Sequence, residues 1–444
     1  MEAALPNHIE SLDQTTSNEG LRAVPLICFA LMCAATMWNA IDIASDDEIQ
    51  AGLDWVVAIK LVITAFAGIV GGLGFLMDPR VRRTLLSGPG LILSLLGFVF
   101  LSTSVFAFHE VANVCRAASV IYIVYLVFIA TALSVVRLRG VIIATLIGSV
   151  INLVLNWGLY LTGHGAFEEL LGDQVFVSRM GGLGHPNAIA RVAMLAGLLS
   201  VAMLRSRELS PKLHIGRLVL YGIIVLSVMT AIATFSRTSI VAATAALFFL
   251  MSDKISSRGG MAVMFAGLAF LVASFLVFEL ASGGGMLGDS LLSVTTKTGD
   301  VQELTSATGR TDIWAEAIRL IGQRPVTGWG LNSAPVLLED FSNHTHNLVL
   351  HATFSGGILA GFFVVTLLAW NFFFGLTSKE PIIRSVSMYV LVSGVFEDTV
   401  LDTFASTATL LWLLVLLYPA MSALKEIGPF ENNESPVYNE PTVT

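Results

Sequence analysis

The sequence predicts an all-α polytopic membrane protein of about twelve transmembrane helices with one large hydrophilic loop on the non-cytoplasmic side. Three observations predict it. Of 444 residues, 55% are apolar and only 13% charged, where a soluble globular chain carries about 25% charge. The mean hydropathy is +0.79, and the apolar residues lie in runs near the roughly 20 that cross a bilayer rather than singly. The 24 basic and 32 acidic residues leave a net charge of -8, which argues against a polybasic nucleic-acid or membrane-surface binder.

The elements follow in order. Residues 1–22 read as a polar tail. Glu2, Glu10, Asp13 and Glu19 occur there with no Lys or Arg before Arg22, so it lacks the basic start of a signal peptide. Nine spans fill 23–281, at about 23–43, 53–77, 89–108, 114–136, 140–163, 186–204, 215–235, 237–251 and 260–281. A loop occupies 282–345. Three more spans fill 346–424, at about 346–375, 383–401 and 403–424, before a second polar tail at 425–444. Cys28, Cys33 and Cys115 fall in or beside apolar runs and match neither a disulfide framework nor a zinc pattern.

An even span count puts both tails on one side. With the tails cytoplasmic, 15 of the 24 basic residues fall on inner segments and seven on outer ones, with Lys60 and Arg116 inside spans. The positive-inside rule therefore places both termini in the cytoplasm. Outer connections are mostly short, whereas 282–345 is long and hydrophilic, and loops longer than about 15 residues usually carry function. Any chemistry is expected on the outer face, away from ATP and nucleotide sugars.

Within the loop, Thr311–Ile321 reads as an amphipathic helix. Ile313, Trp314, Ala317, Ile318 and Ile321 share one face and Asp312, Glu316 and Arg319 the other. Thr311 is the expected N-cap and Pro325 the stop, which sets Arg310 just outside a helix N-terminus, where guanidinium, free N–H groups and dipole can face one anion. A snorkelling Arg on an interfacial helix fits the same spacing. Arg237 lies in a tight outer turn, in Ser236-Arg237-Thr238. Arg191, in His185-Pro186-Asn187-Ala188-Ile189-Ala190-Arg191, falls about one turn inside a span, where an unpaired charge costs roughly 2.5–3.5 kcal/mol. It calls for a ligand or for an acid such as Glu168, Glu169 or Asp398. His344, His346 and His351 cluster where the tenth span opens. Metal binding, capping and general base catalysis all remain readings of that cluster, although His346 and His351 are not at the i, i+4 spacing of known zinc helices.

These motifs together resemble the bacterial O-antigen ligase and polymerase superfamily of membrane glycosyltransferases. The resemblance rests on His185-Pro186-Asn187 with Arg191, Ser236-Arg237-Thr238, Gly309-Arg310 through Ile313-Trp314, Pro325 with Gly328-Trp329-Gly330, and His346-Asn347 followed by Gly356-Gly357 and Gly361. It covers about 180–365 of the chain. It implies a GT-C-like architecture in the bacterial inner membrane, with a periplasmic loop and active site. The implied donor is an undecaprenyl-diphosphate-linked glycan and the implied acceptor lipid A-core, both met among membrane lipids, with no nucleic acid and no set oligomeric state. The implied reaction is inverting and metal-independent, with no cofactor. His346 is then the expected catalytic base, in the first turn of an outward-facing helix, with Glu397, Asp398 or Asp402 at the outer end as the acids able to orient its ring. Arg191, Arg237 and Arg310 would bind the donor diphosphate, and His185, Asn187 and Asn347 are secondary candidates.

The short tails and single dominant loop favour a ligase over a polymerase that uses the same donor. A polytopic transporter or a lipid flippase shares the span count. Neither would form a new glycosidic bond, which separates them from both enzymes.

Overall fold

The computed structural model describes residues 22–35, 38, 55–171, 175–206, 214–251, 310–398 and 400–426. The ninth expected span, the first part of the long loop and most of both tails lie outside the described residues. The described residues are mostly helical, with one short two-stranded sheet. Helix α1 covers Arg22–Ala35, followed by α2 (Trp55–Met77), α3 (Pro79–Leu85), α4 (Gly88–Thr103), α5 (Ala112–Val135), α6 (Leu138–Leu161), strands β1 (Ala166–Leu171) and β2 (Val175–Met180), α7 (Pro186–Arg205), α8 (His214–Thr234) and α9 (Arg237–Met251). Then come α10 (Arg310–Gln323), α11 (Ala334–Leu337), α12 (Leu348–Thr377), α13 (Pro381–Phe396) and α14 (Thr407–Glu426).

Every expected span within the described residues meets a helix. By length and composition, however, seven helices among them suffice to cross a membrane (α2, α5, α6, α7, α8, α12 and α14), or eight if the bent pair α3–α4 is one span. Helices α1, α9 and α13 are apolar but shorter. The protein is a multi-pass membrane protein, with seven or eight full-length spans among these residues, where eleven of the twelve expected spans fall wholly or in part. The shortening has local causes. A 76° bend separates α3, in the expected inner connection, from α4, which carries the expected third span but ends at Thr103; Asp78 caps α3 by accepting from the Arg80 N–H at 2.9 Å, and Pro residues open both helices. Helix α13 stops at Phe396, so residues 397–406 form a connection where the apolar runs had read as nearly continuous spans.

Helix α14 is apolar on every side, and Leu410–Leu417 are fully buried in it, as expected of a helix surrounded by others. Its neighbours are α3, α4, α5, α7, α12 and α13. By contrast, α2 and α8 keep large apolar side chains exposed, including Leu73, Leu76, Leu218 and Ile232. Such faces suit lipid, where apolar surface outside needs no cover.

Helix α12 breaks at Gly356 (φ -127°) and Gly357 (φ 72°, ψ -174°). The loop after α10 fills the break. Trp329 N–H donates to Phe354 O at 2.9 Å, Gly330 N–H to Ser355 O at 2.8 Å, and Ile358 N–H to Pro325 O at 2.8 Å. Irregular backbone within an apolar helix is tolerated where protein satisfies its polar groups, so Pro325, Gly328-Trp329-Gly330 and Gly356-Gly357 are parts of one joint. A Cβ on Gly357 would collide with the Val326 carbonyl oxygen, and its dihedrals belong almost only to glycine, at about 1–3 kcal/mol for other residues. Gly357→Ala is expected to lower the thermal unfolding midpoint of the detergent-solubilised protein. Gly72→Ala on α2, whose Cβ would meet nothing within 4 Å, should leave it unchanged.

The β1–β2 hairpin was not expected, because windows of about 20 residues do not register strands this short. The strands pair antiparallel, with Phe167 opposite Arg179. In the amphipathic helix α10, Ile313, Ala317 and Leu320 are buried. Ile318, expected on that face, is exposed, because a core stripe at i, i+4 and i+7 passes it by.

Candidate active site

The site gathers where α7, α9, α10 and α12 begin and α13 ends. Each start has a local cause. His185 caps α7, its Nδ1 accepting from the Asn187 N–H at 3.3 Å, with Pro186 at the first helical position. Ser236 precedes α9, its hydroxyl donating to Ser239 Oγ at 3.1 Å, after Phe235 in the left-handed region. Asn347 caps α12, its Oδ1 accepting from the Leu350 N–H at 2.9 Å while its Nδ2 donates to Val395 O at 3.0 Å. Arg310 is already helical in α10 rather than a residue outside a Thr311 cap, a shift of two within what helix ends commonly show. Several positive dipole ends therefore come together.

Glu397 is where the elements meet. Its Oε1 accepts from Arg310 Nη2 at 3.3 Å and from Asn187 Nδ2 at 3.4 Å. Its Oε2 lies 3.4 Å from His346 Nδ1. The carboxylate is only 5% exposed, and an ionised carboxylate can only accept, so His346 presents a proton on Nδ1, and in the neutral ring Nε2 is then the acceptor. Ser342 Oγ is 3.2 Å from that Nε2. Burial pushes the Glu397 carboxyl up, but the bond to His346 and the charges of Arg191 and Arg310 outweigh it and hold it below its ordinary value. Burial likewise lowers Arg310 against the pull of Glu397.

His346 does not sit in the first turn of α12. It lies one residue before the Asn347 cap with φ 51°, a turn conformation that aims its ring back at Ser342 and Glu397. Trp314 on α10 ties this turn down, its Nε1 donating to Thr345 O at 2.9 Å. Arg310 also approaches Thr238 Oγ1 at 3.5 Å and lies over the Phe396 ring at 5.8 Å, with Arg237 close enough to act on its charge. Arg191 pairs with Asp402 at 3.2 Å, and the charges of Glu397 and Asp398 also act on it; the side chains of Glu168 and Glu169, the other acids expected for it, lie outside the described residues.

A cavity of about 350 Å³ adjoins this centre. Its wall includes Lys60, His185, Asn187, Arg191, His344, His351, Glu397, Asp398 and Asp402. His346, Arg237 and Arg310 are not among its lining residues, but Glu397, which does line it, touches His346 and Arg310. Burial raises the Asp398 carboxyl, but His344 and His351 outweigh it and lower it.

Sequence reasoning named Glu397, Asp398 and Asp402 as acids able to orient His346, and Asp398 also as a partner for Arg191, but it missed three others. Lys60 is buried, in the cavity wall and 5.2 Å from the centre of the Phe404 ring. A lone Lys in an apolar run was the available signal. Buried Arg179 on β2 donates to Thr234 O at 2.8 Å and to Asn187 Oδ1 at 3.0 Å, linking the hairpin through Asn187 to Glu397. Ser342 carried no signal at all. Among the described residues, His344, His346 and Glu397 also have the chemistry and closeness to hold a metal ion.

A family model described as O-antigen ligase matches residues 222–365, a stretch holding Arg237, Arg310 and His346. An O-antigen ligase of Pseudomonas aeruginosa is 26% identical over 348 residues, covering 72% of this chain and 75% of that protein. These matches support the O-antigen ligase superfamily. With the apolar helices, that similarity supports a multi-pass membrane enzyme of the glycosyltransferase type in lipopolysaccharide biosynthesis. Both similarities are to ligases, and neither favours the polymerase.

Proposed function

We propose that this chain is an O-antigen ligase of the bacterial inner membrane, transferring a glycan from undecaprenyl diphosphate to lipid A-core on the periplasmic face, with both termini cytoplasmic. The observation that carries the reading is Glu397 holding His346 on one oxygen and Arg310 on the other, which sets a base beside an anion-binding guanidinium. The acceptor hydroxyl gives its proton to His346 Nε2 and its oxygen attacks the anomeric carbon. The bond from that carbon to the diphosphate breaks, and a single displacement inverts the centre. Negative charge grows on the departing diphosphate, where Arg310, Arg237 and Arg191 stabilise it with no metal ion or cofactor. Preorganised cations act strongly in a site that excludes water.

Purified protein supplied with lipid-linked donor and lipid A-core tests this. The expected product is lipid A-core carrying the full glycan, and extension of the lipid-linked glycan instead would mark a polymerase. Arg310→Ala should lower transfer by about 10²- to 10³-fold, the usual loss for one transition-state charge contact. Arg310→Lys should fall between, because it keeps the charge without the planar fork. Equal transfer by Arg310→Ala would return this residue to the snorkelling class.

A further inference from the structure

The His cluster carries more than a base. His346 Nδ1 lies 3.4 Å and His344 Nε2 3.9 Å from the same Glu397 Oε2, and the ligand atoms of the three residues all lie within 4.8 Å of one another. A tetrahedral ion with bonds of about 2.0–2.1 Å holds its ligand atoms roughly 3.4 Å apart. One edge of such a site already has that length. The others close by a small turn of His344, whose side chain is 36% exposed and has room to move. Glu397 Oε1 is taken by Arg310 and Asn187, so the two imidazoles face the other oxygen. Asp398 Oδ1, 3.9 Å from His344 Nε2, adds a second carboxylate. Two imidazoles and a carboxylate, with a fourth position left for water, form an N/O set suited to zinc.

We propose that His344, His346 and Glu397 bind a divalent transition-metal ion, zinc(II) first, and that its binding switches transfer off. The switch rests on the reading of His346 as base; the binding site does not. In the metal-free ring Nδ1 holds the proton and Nε2 the free lone pair. An ion on Nδ1 takes the place of that proton, and the ring's single proton then sits on Nε2. The ring remains neutral overall, but Nε2 becomes a donor and the acceptor hydroxyl has nowhere to send its proton. His344 is the residue that separates the two functions, since it completes the metal set without contacting the reacting atoms.

The test uses the full chain in detergent, stripped of metal and titrated with Co²⁺, whose visible absorption reports tetrahedral coordination. One equivalent should bind and be displaced by Zn²⁺. His344→Ala should weaken binding by more than the roughly 10- to 100-fold that loss of an outer-shell partner costs. His109→Ala, at an exposed position elsewhere, should bind like the wild type. In parallel transfer assays, each protein is compared with its own metal-free rate. Wild-type transfer should fall in step with zinc occupancy and His344→Ala should resist the same concentration. Absence of saturable one-to-one binding, or equal binding by His344→Ala, overturns the site. Stoichiometric binding that needs His344 but leaves wild-type transfer intact or faster overturns the switch and, with it, the base assignment.

Discussion

His346→Ala should reduce glycan transfer by about 10²- to 10⁴-fold, the range that a positioned general base contributes, while the lipid-linked donor still binds. Glu397 is buried and ionised and can only accept, so the 3.4 Å approach of His346 Nδ1 assigns the neutral ring's proton to that nitrogen. Nε2 then presents a lone pair toward Ser342 Oγ at 3.2 Å, the geometry a hydroxyl must adopt to be deprotonated. Loss of the imidazole removes the acceptor but leaves Arg310 on Glu397 Oε1, so donor affinity persists. His351→Ala serves as a control, because that ring faces Asp398 at 3.5 Å rather than Glu397; it should be milder. Donor binding can be read by co-purified or titrated diphosphate lipid, and transfer by the shift of lipid A-core on a gel. Full transfer by a folded His346→Ala protein would remove the base from this residue.

What was legible in the sequence follows from the solvent. A bilayer demands about 20 consecutive apolar residues per span, so helix positions can be read directly, and a charge inside such a run stands out, as Arg191 does. Residue pairings are another matter. Arg191 and Asp402 lie 211 positions apart, and Arg310 meets Glu397 across 87, distances over which no local periodicity operates. Glu397 itself looked like one more outer acid until α13 ended one residue before it and turned it inward. The place of His346 depended on a turn: Asn347 was free to be a helical residue or a cap, and its side chain chose the cap by reaching the Leu350 N–H. The two glycines at 356 and 357 could be recognised as unusual within an apolar run, but their purpose required the Pro325–Gly330 loop that plugs the break.

Glu397→Gln should cost transfer about as much as loss of the base, on the order of 10²- to 10⁴-fold, although it removes no atom from the acceptor or donor pocket. An amide carries one acceptor oxygen and one donor nitrogen where the carboxylate has two acceptors. Arg310 and Asn187 both donate to Oε1, so the amide oxygen must stay with them and the NH₂ must face His346. An N–H opposite Nδ1 forces that nitrogen to accept, which moves the ring proton to Nε2 and leaves no base for the hydroxyl. The same change weakens the hold on Arg310 by removing its charge partner. A pH signature separates this from simple misfolding. The Glu397 carboxyl lies below its ordinary value despite burial, because His346, Arg191 and Arg310 favour the ionised form. Its contribution to stability is thus complete above the ordinary carboxylate value and is lost as pH falls through the lowered one. Wild-type protein should therefore lose unfolding temperature across that acid range faster than Glu397→Gln, which has no proton to take up. Equal acid sensitivity in the two proteins, or wild-type transfer by the variant, would show that Glu397 neither holds its charge for the fold nor sets the tautomer of His346.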